Sequence, residues 1–380
     1  MISLHGKAVH CGGDKLPPGP IPLTTDQYLP SILAKRYALV SDVVEVPTHF
    51  RAVFRKKVAL GSQIAEYLLP KELDHLESGD FISINPENQF IRVLYRSASN
   101  QNSILLTERC NHYCLMCSQP PRNVDDEWIM EETKQLIRML PIDTPELGFT
   151  GGEPTLYGQD FIDLMMLTKS YLPHTAIHIL TNGRRFSDIE FARSYAQIGH
   201  KDMMLGIPIY SDDPVLHDYV VQSKGAFDET IRGVLNLKSL GQKVEIRVVL
   251  HKQTIPRLVN LCEFLARNLL FVDHVALMGL EMTGFTRANI EDLWIDPYEY
   301  RDTLSAATLL LKNYGMNVSI YNHQRCLIND DVVFANRKSI SDWKNEYVSE
   351  CQGCSKLSEC GGFFTSGMLH KYSPNIRPFS

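Results

Sequence analysis

Beyond residue 100 the chain alternates between two hydrophobic periods. Short apolar runs recur at Ser103–Thr107, Glu146–Phe149, Ala176–Leu180, Met203–Ile209, Val244–Leu250 and His274–Met278. Runs of that length predict buried strands. Between them, Met130–Leu140, Phe161–Tyr171, Ile189–Gln197, Phe227–Leu240 and Arg257–Leu269 carry apolar residues at helical spacing. Strands separated by crossover helices, in units of about 30 residues, predict a parallel sheet. A full barrel needs eight such units, so six predict an α/β fold with an open, partial barrel. Chemistry is then expected at the carboxyl ends of the strands.

The first hundred residues read differently. Cys11–Gly13 and Pro17–Pro20 make a loop-rich start. Phe50–Phe54 alternates like a strand, and Asp80–Ile84 and Gln89–Tyr95 flank Asn85–Asn88 as a β-hairpin. A helix is expected over Ile64–Leu76. The polar stretch Ser97–Asn102 suggests a boundary. The expected organisation is a small mixed α+β domain at 1–100, the barrel at 101–290 and a cysteine-rich extension at 291–380. The role of the first domain is not legible, and a packing role competes with peptide docking.

Composition narrows the class. The 380 residues are 44% hydrophobic and 22% charged, ordinary for a globular protein, and a net charge of −6 makes a nucleic-acid surface unlikely on electrostatic grounds. There is no secretory h-region at the amino terminus and no apolar run near the ~18 residues that span a bilayer, so a cytoplasmic location without membrane contact is expected. Nine cysteines in a reducing compartment favour metal binding over disulfides.

Three of them, Cys110, Cys114 and Cys117, stand at C-x3-C-x2-C directly after the first barrel strand. Three thiols cannot pair off as disulfides. They can each take one iron of a cubane cluster and leave the fourth iron open. A zinc site with a fourth ligand from elsewhere, His112 being the local candidate, is the alternative. The second strand ends in Phe149-Thr-Gly-Gly-Glu-Pro154. Two glycines there would let backbone approach a ligand, and Glu153 suits an ammonium group. A tight turn capped by Glu153 would explain the same residues.

Together these motifs resemble the radical S-adenosylmethionine (SAM) superfamily, over about residues 103 to 285. The resemblance implies a six-unit partial barrel in which Cys110, Cys114 and Cys117 hold a [4Fe–4S] cluster and SAM binds its open iron. It further implies that Gly151, Gly152 and Glu153 line the methionine end of SAM. Asn182, in Thr181-Asn-Gly183, and Ser211, in Ile209-Tyr-Ser-Asp212, would lie near the ribose. Arg247 would face the SAM carboxylate, with a surface charge as the alternative. Met116 replaces the aromatic residue usual before the third cysteine and could still pack on adenine. Tyr210 and Asp212 lie at a strand end without an assigned role, and no catalytic acid, base or radical relay can be named.

A second set, Cys326, Cys351, Cys354 and Cys360 followed by Gly361-Gly362, resembles the auxiliary-cluster (SPASM/twitch-like) extension of peptide-modifying radical SAM enzymes. It implies one auxiliary [4Fe–4S] cluster, a zinc site being the alternative. Cys262 reads as a core thiol and Cys11 has no assigned role. The long N-terminal extension, Leu106–Asn111 and the tail Ser339–Asn345 make the whole most similar to the His-Xaa-Ser system radical SAM maturase, C-type. That implies a precursor peptide substrate, an electron donor such as flavodoxin or ferredoxin, and a second radical SAM maturase as partner. A small-molecule or nucleoside substrate, and a non-catalytic iron–sulfur carrier or sensor, remain the competing readings.

Overall fold

A computed structural model describes residues 3–338 and 346–380. The tail segment Ser339–Asn345 lies outside the described residues. The chain divides into two compact units, Met1–Ile104 with Glu131–Leu140, and Leu105–Met130 with Pro141–Ser380.

The first unit is built on strands β1 (His5–Lys7), β2 (Val9–Gly12), β3 (Ile21–Thr24), β4 (Ala38–Val40), β5 (Ala52–Arg55), β6 (Ala65–Leu68), β7 (Phe81–Ile84) and β8 (Phe90–Tyr95). Their order is β1-β8-β7-β3-β4-β5-β6-β2. The edges β1 and β2 are separated only by Ala8, so one extended run pairs first with β8 and then with β6 and draws the sheet shut. Alternate residues such as Leu23, Val40, Phe54, Tyr67, Ile82 and Ile91 fill its interior.

The helix expected over Ile64–Leu76 is not formed. Ala65–Leu68 is strand β6, parallel to β5, and only Lys71–Leu73 makes a single 3-10 turn. Tyr67 is drawn into the core, and Pro70, which has no N–H, stops a helix from running through. The neighbouring Glu66 is fully buried and meets the buried Arg55 of β5 at 3.0 Å. Glu66 also accepts from the backbone N–H groups of Leu60 (2.8 Å) and Ser62 (2.7 Å), so one carboxylate ties a loop to the sheet.

The second sheet holds β9 (Gln101–Leu105), β10 (Glu146–Thr150), β11 (Ala176–Leu180), β12 (Met203–Pro208), β13 (Lys243–Leu250), β14 (His274–Gly279) and β15 (Val318–Tyr321). They lie side by side in chain order, and β10 through β15 are all parallel. Successive strands are joined through helices that include α1 (Glu127–Ile137), α2 (Gln159–Tyr171), α3 (Ile189–Ile198), α4 (Pro214–Val221), α5 (Ala226–Ser239), α6 (Leu258–Asn268) and α7 (Arg301–Asn313). This is the expected α/β partial barrel with one more strand than the six read from sequence. The seventh, β15, is four residues long between Gly315 and Asn322, both at positive φ, and too short to carry a periodic signal.

Alternation along the strands decides what lines the barrel. In β13, Val244, Ile246, Val248 and Leu250 belong to the fully buried apolar core, while Glu245 and Arg247 take the opposite face with His178 of β11 and His274 of β14. The second unit continues past β15 through short 3-10 turns and the helix Thr365–His370. Leu327, Phe363 and Ile376 form a small core there, with Cys326 and Cys351 packed against it.

Replacing Glu66 with Ala would leave the Arg55 guanidinium buried without its partner. A loss of about 3–5 kcal/mol is expected for the unfolding of the first unit, measured by denaturant titration.

Candidate functional site

The cysteine loop leaves β9 and is held by backbone from three directions. On one side it continues the ladder with β10: Leu106 N–H donates to Thr150 O (2.8 Å), Gly152 N–H to Thr107 O (2.8 Å) and Glu153 N–H to Arg109 O (2.8 Å). On another, Tyr113 and Leu115 donate to the last carbonyls of α4, Val221 O (3.1 Å) and Val220 O (2.9 Å). On the third, Phe285 N–H donates to Cys117 O (2.8 Å) and Asn289 Nδ2 to Leu115 O (2.8 Å).

The Gly-Gly pair is required by this contact. A Cβ on Gly152 would stand 2.1 Å from Arg109 O, and one on Gly151, whose φ is +148°, 2.5 Å from Thr107 O. The sequence suggested that the glycines admit a ligand. What they admit here is the protein's own loop, pressed against the β10 end.

Glu153 also turns inward. It caps the 3-10 turn Pro154–Tyr157, its Oε1 accepting from Thr155 N (3.0 Å), Thr155 Oγ1 (2.6 Å) and Thr181 Oγ1 (2.6 Å). Its Oε2 accepts from Asn182 N (2.6 Å). Burial holds the carboxyl above its ordinary range, against four hydrogen bonds that favour the ionised form. Asn182 carries the connection onward, donating from Nδ2 to Asn111 Oδ1 in the cysteine loop (2.6 Å). Glu153 and Asn182 therefore join the ends of β10 and β11 to the loop.

The three thiols lie close enough to feel one another's charge. Burial pushes Cys110 up to about 12 and raises Cys114 and Cys117, with mutual repulsion adding at Cys110 and Cys114. Such thiols become thiolates when a bound cation replaces the proton. Among the described residues no three His, Cys, Asp or Glu side chains converge on a single-ion position. Ligands of a cubane need not converge, since each takes its own iron. His112 is buried, neither ring nitrogen has a protein partner, and its charged neighbours are Arg184, His217 and Asp218.

The other expected residues fall into two groups. Met116 and Tyr210 are buried together with Val220, Val221 and Leu293, against partly buried Cys114 and Leu280. Burial and the nearby Cys114 and Cys117 push the Tyr210 phenol well up. Ser211 is fully buried, its Oγ accepting from Asp213 N (3.0 Å). Asp212 meets Arg257 Nε at 2.8 Å; burial raises its carboxyl, but the Arg257 bonds outweigh this and hold it low. Arg247 is part-buried in the barrel, with Nη2 3.1 Å from Met278 Sδ and Nη1 3.8 Å from Glu245 Oε1. It is not a surface charge.

Cys326, Cys351, Cys354 and Cys360 gather beyond the carboxyl end of β15. The Cys351 thiol is raised by burial first and then by the charges of Cys360, Cys326 and Cys354. Backbone N–H groups point at the sulfurs: Arg325 N to Cys360 Sγ (3.3 Å), and Phe379 N to Cys354 Sγ (3.3 Å). Cys262 is a buried core thiol on α6.

A cavity of about 60 Å³ lies at the carboxyl ends of β13 to β15, its wall including Leu280, Trp294, Asn322 and Gly361-Gly362. Leu280 also packs against Met116 and Tyr210, and Gly361 directly follows Cys360, so the cavity stands between the two cysteine sets. Lys371 Nζ lies 4.1 Å from the Trp294 ring centroid. Sequence reasoning missed this wall and the residues around Glu245. The signal for the latter was polar side chains at alternate positions of otherwise apolar strands.

The model of the Radical SAM superfamily matches residues 104–265. The chain is 30% identical over 164 residues to Fe-coproporphyrin III synthase of Methanosarcina barkeri, covering 42% of this chain and 39% of that protein. It is 28% identical over 218 residues to the pyruvate formate-lyase-activating enzyme of Clostridium pasteurianum, covering 53% and 82%. SuiB of Streptococcus suis bound to S-adenosylmethionine superposes with a TM-score of 0.53 at 16% identity, covering 76% of this chain and 77% of that one. SuiB bound to its precursor peptide SuiA gives 0.50 at 16%, covering 74% and 75%. Among the described residues no helix is long and apolar enough to cross a membrane.

Two outcomes follow. Gly152→Ala should force the 107–110 backbone away from β10, seen as faster hydrogen exchange at Leu106, Gly152 and Glu153, whereas Gly367→Ala, which meets nothing within 4 Å, should leave these amides unchanged. Burial lowers His112 to about 3, His217 to about 4 and His251 to about 3. Unfolded histidines titrate near 6.5, so the unfolded chain binds more protons as pH falls from about 6.5 toward 4, and stability drops across that window. Unfolding free energies at pH 7 and 5 should show it, with a shallower slope in His251→Gln.

Proposed function

We propose that this chain, whose residues 104–265 match the model of the Radical SAM superfamily, is a radical SAM enzyme that modifies a ribosomally made peptide. The His-Xaa-Ser type of maturation is our reading of its substrate. The observation that carries the proposal is the cavity between the two cysteine sets. Cys110, Cys114 and Cys117 would hold three irons of a [4Fe–4S] cluster, and Cys326, Cys351, Cys354 and Cys360 a fully protein-ligated second one. The first cluster with SAM would supply a 5′-deoxyadenosyl radical able to abstract a hydrogen atom from the substrate.

The chain's own part is to position and to exclude water. The latched loop fixes three thiols against the β10 end, and the N–H groups near Cys354 and Cys360 would stabilise thiolate charge at the second set. Gly151, Gly152 and Glu153 would border SAM through backbone, with the Glu153 side chain holding Asn182 in place. Met116 would pack on adenine, Ser211 would order the strand end beside the ribose, and Arg247 would meet the carboxylate. A precursor peptide would enter at the cavity, and a flavodoxin- or ferredoxin-type donor would supply electrons. A second radical SAM maturase as partner belongs to the same reading.

A small-molecule substrate is the second reading, favoured by the likeness to Fe-coproporphyrin III synthase.

Anaerobically purified protein should contain about eight irons, falling to about four when Cys110, Cys114 and Cys117 are changed to Ala, and to about four when the second set is changed. Only the first variant should lose reductive SAM cleavage to 5′-deoxyadenosine outright. About four irons plus zinc in the parent would refute the auxiliary assignment. A co-expressed His-Xaa-Ser peptide recovered with both its mass and the stereochemistry of its residues unaltered would refute the substrate.

A further inference from the structure

The barrel interior contains a polar cluster that the proposed chemistry does not use. Glu245 of β13 is buried, and His274 Nδ1 lies 2.7 Å from its Oε2. The other nitrogen of the same ring, Nε2, is 3.0 Å from Ser319 Oγ on β15. His178 Nε2 of β11 stands 3.5 Å from Glu245 Oε1. Three strands thus fix one carboxylate. Burial pushes that carboxyl up, but bonding to His178 and His274 and the charge of Arg247 override it and hold it far below its ordinary range.

Above this carboxylate in the barrel comes Arg247, two residues closer to the strand's carboxyl end. Its stem lies over Gly206 of β12, where a Cβ would come 3.0 Å from Arg247 Cδ. A guanidinium offers five N–H donors, and here it meets a thioether sulfur at 3.1 Å and a carboxylate oxygen at 3.8 Å, beyond hydrogen-bond reach. The guanidinium charge also acts on Tyr210, which in turn feels Cys114 and Cys117. A part-buried arginine with donors to spare, oriented by a fixed carboxylate, is built to receive an anion.

We propose that Glu245 is a positioning residue: held by His274, whose ring Ser319 fixes, and flanked by His178, it orients Arg247 so that the guanidinium receives the carboxylate of SAM. The proposal rests on the reading of the chain as a radical SAM enzyme. Glu245 itself touches neither SAM nor substrate. Its effect should therefore depend on two things at once, the Arg247 side chain and the ligand's carboxylate.

The test is equilibrium binding of SAM and of decarboxylated SAM to the cluster-loaded, full-length protein, with iron counted in each variant. In Arg247→Met the preference for SAM over decarboxylated SAM should fall about tenfold or more. Glu245→Gln should lower the same preference several-fold, and Glu245→Asp, which keeps the charge but loses reach, should do so if the Gln variant does not fold. Combining either with Arg247→Met should add nothing further. Overturning results are a Glu245 variant that weakens both ligands equally, as a structural role would, or one that leaves the preference unchanged. Parent protein with full iron that binds no SAM would sink the proposed function along with this inference. SAM bound with an unaltered preference in the Glu245 variants would sink the inference alone.

Discussion

The contact on which the site depends is the 2.8 Å approach of the Gly152 and Glu153 amides to Thr107 and Arg109 carbonyls. The distances are those of ordinary backbone hydrogen bonds, but the direction of approach requires glycine, since a Cβ on Gly152 would land 2.1 Å from Arg109 O. The approach brings the loop with three cysteines to the carboxyl end of the barrel. From there the carbonyls of α4 and the segment 284–289 close the remaining sides. Side-chain bonds from Asn289 Nδ2 to Leu115 O and from Asn182 Nδ2 to Asn111 Oδ1 add to this main-chain frame. Met116 packs with Tyr210 and Val221 beside Cys114.

A second constraint is charge within the barrel. Parallel strands covered by helices ordinarily read as continuous apolar runs. Here one face of β11, β13, β14 and β15 departs from that rule with His178, Glu245, Arg247, His274 and Ser319. Burying such groups is unfavourable unless each finds a partner. Glu245 has three basic neighbours: His274 bonds to it at 2.7 Å, while His178 Nε2 and Arg247 Nη1 stand at 3.5 Å and 3.8 Å. The polar interior and the cysteine mouth are therefore two parts of one arrangement, stacked along the barrel axis.

The first unit shows a different economy. Its strands are short and enclose an apolar interior, and the buried Arg55–Glu66 pair ties β5 to β6, each charge offsetting the desolvation of the other.

The sequence by itself determined the barrel and the two cysteine sets, because both are local signals. Strand and helix periods show within ten residues, and C-x3-C-x2-C, Gly-Gly-Glu and C-x2-C-x5-C lie within single loops. It failed at β15, too short to be periodic, and over 64–76, where the helical reading of a run containing Tyr67 and Glu66 was overridden by sheet pairing and by Pro70. Only the tertiary structure decided what the motifs do. It turned Glu153 from a free carboxylate into a cap bonded to Thr155, Thr181 and Asn182, residues up to 29 positions away. It gathered Glu245, His274 and Ser319 across 74 positions of chain, and it set Leu280 and Gly361 on one cavity wall. Hydrogen bonds and cavities between distant strands are fixed by register and alternation in three dimensions, and no window of sequence contains them.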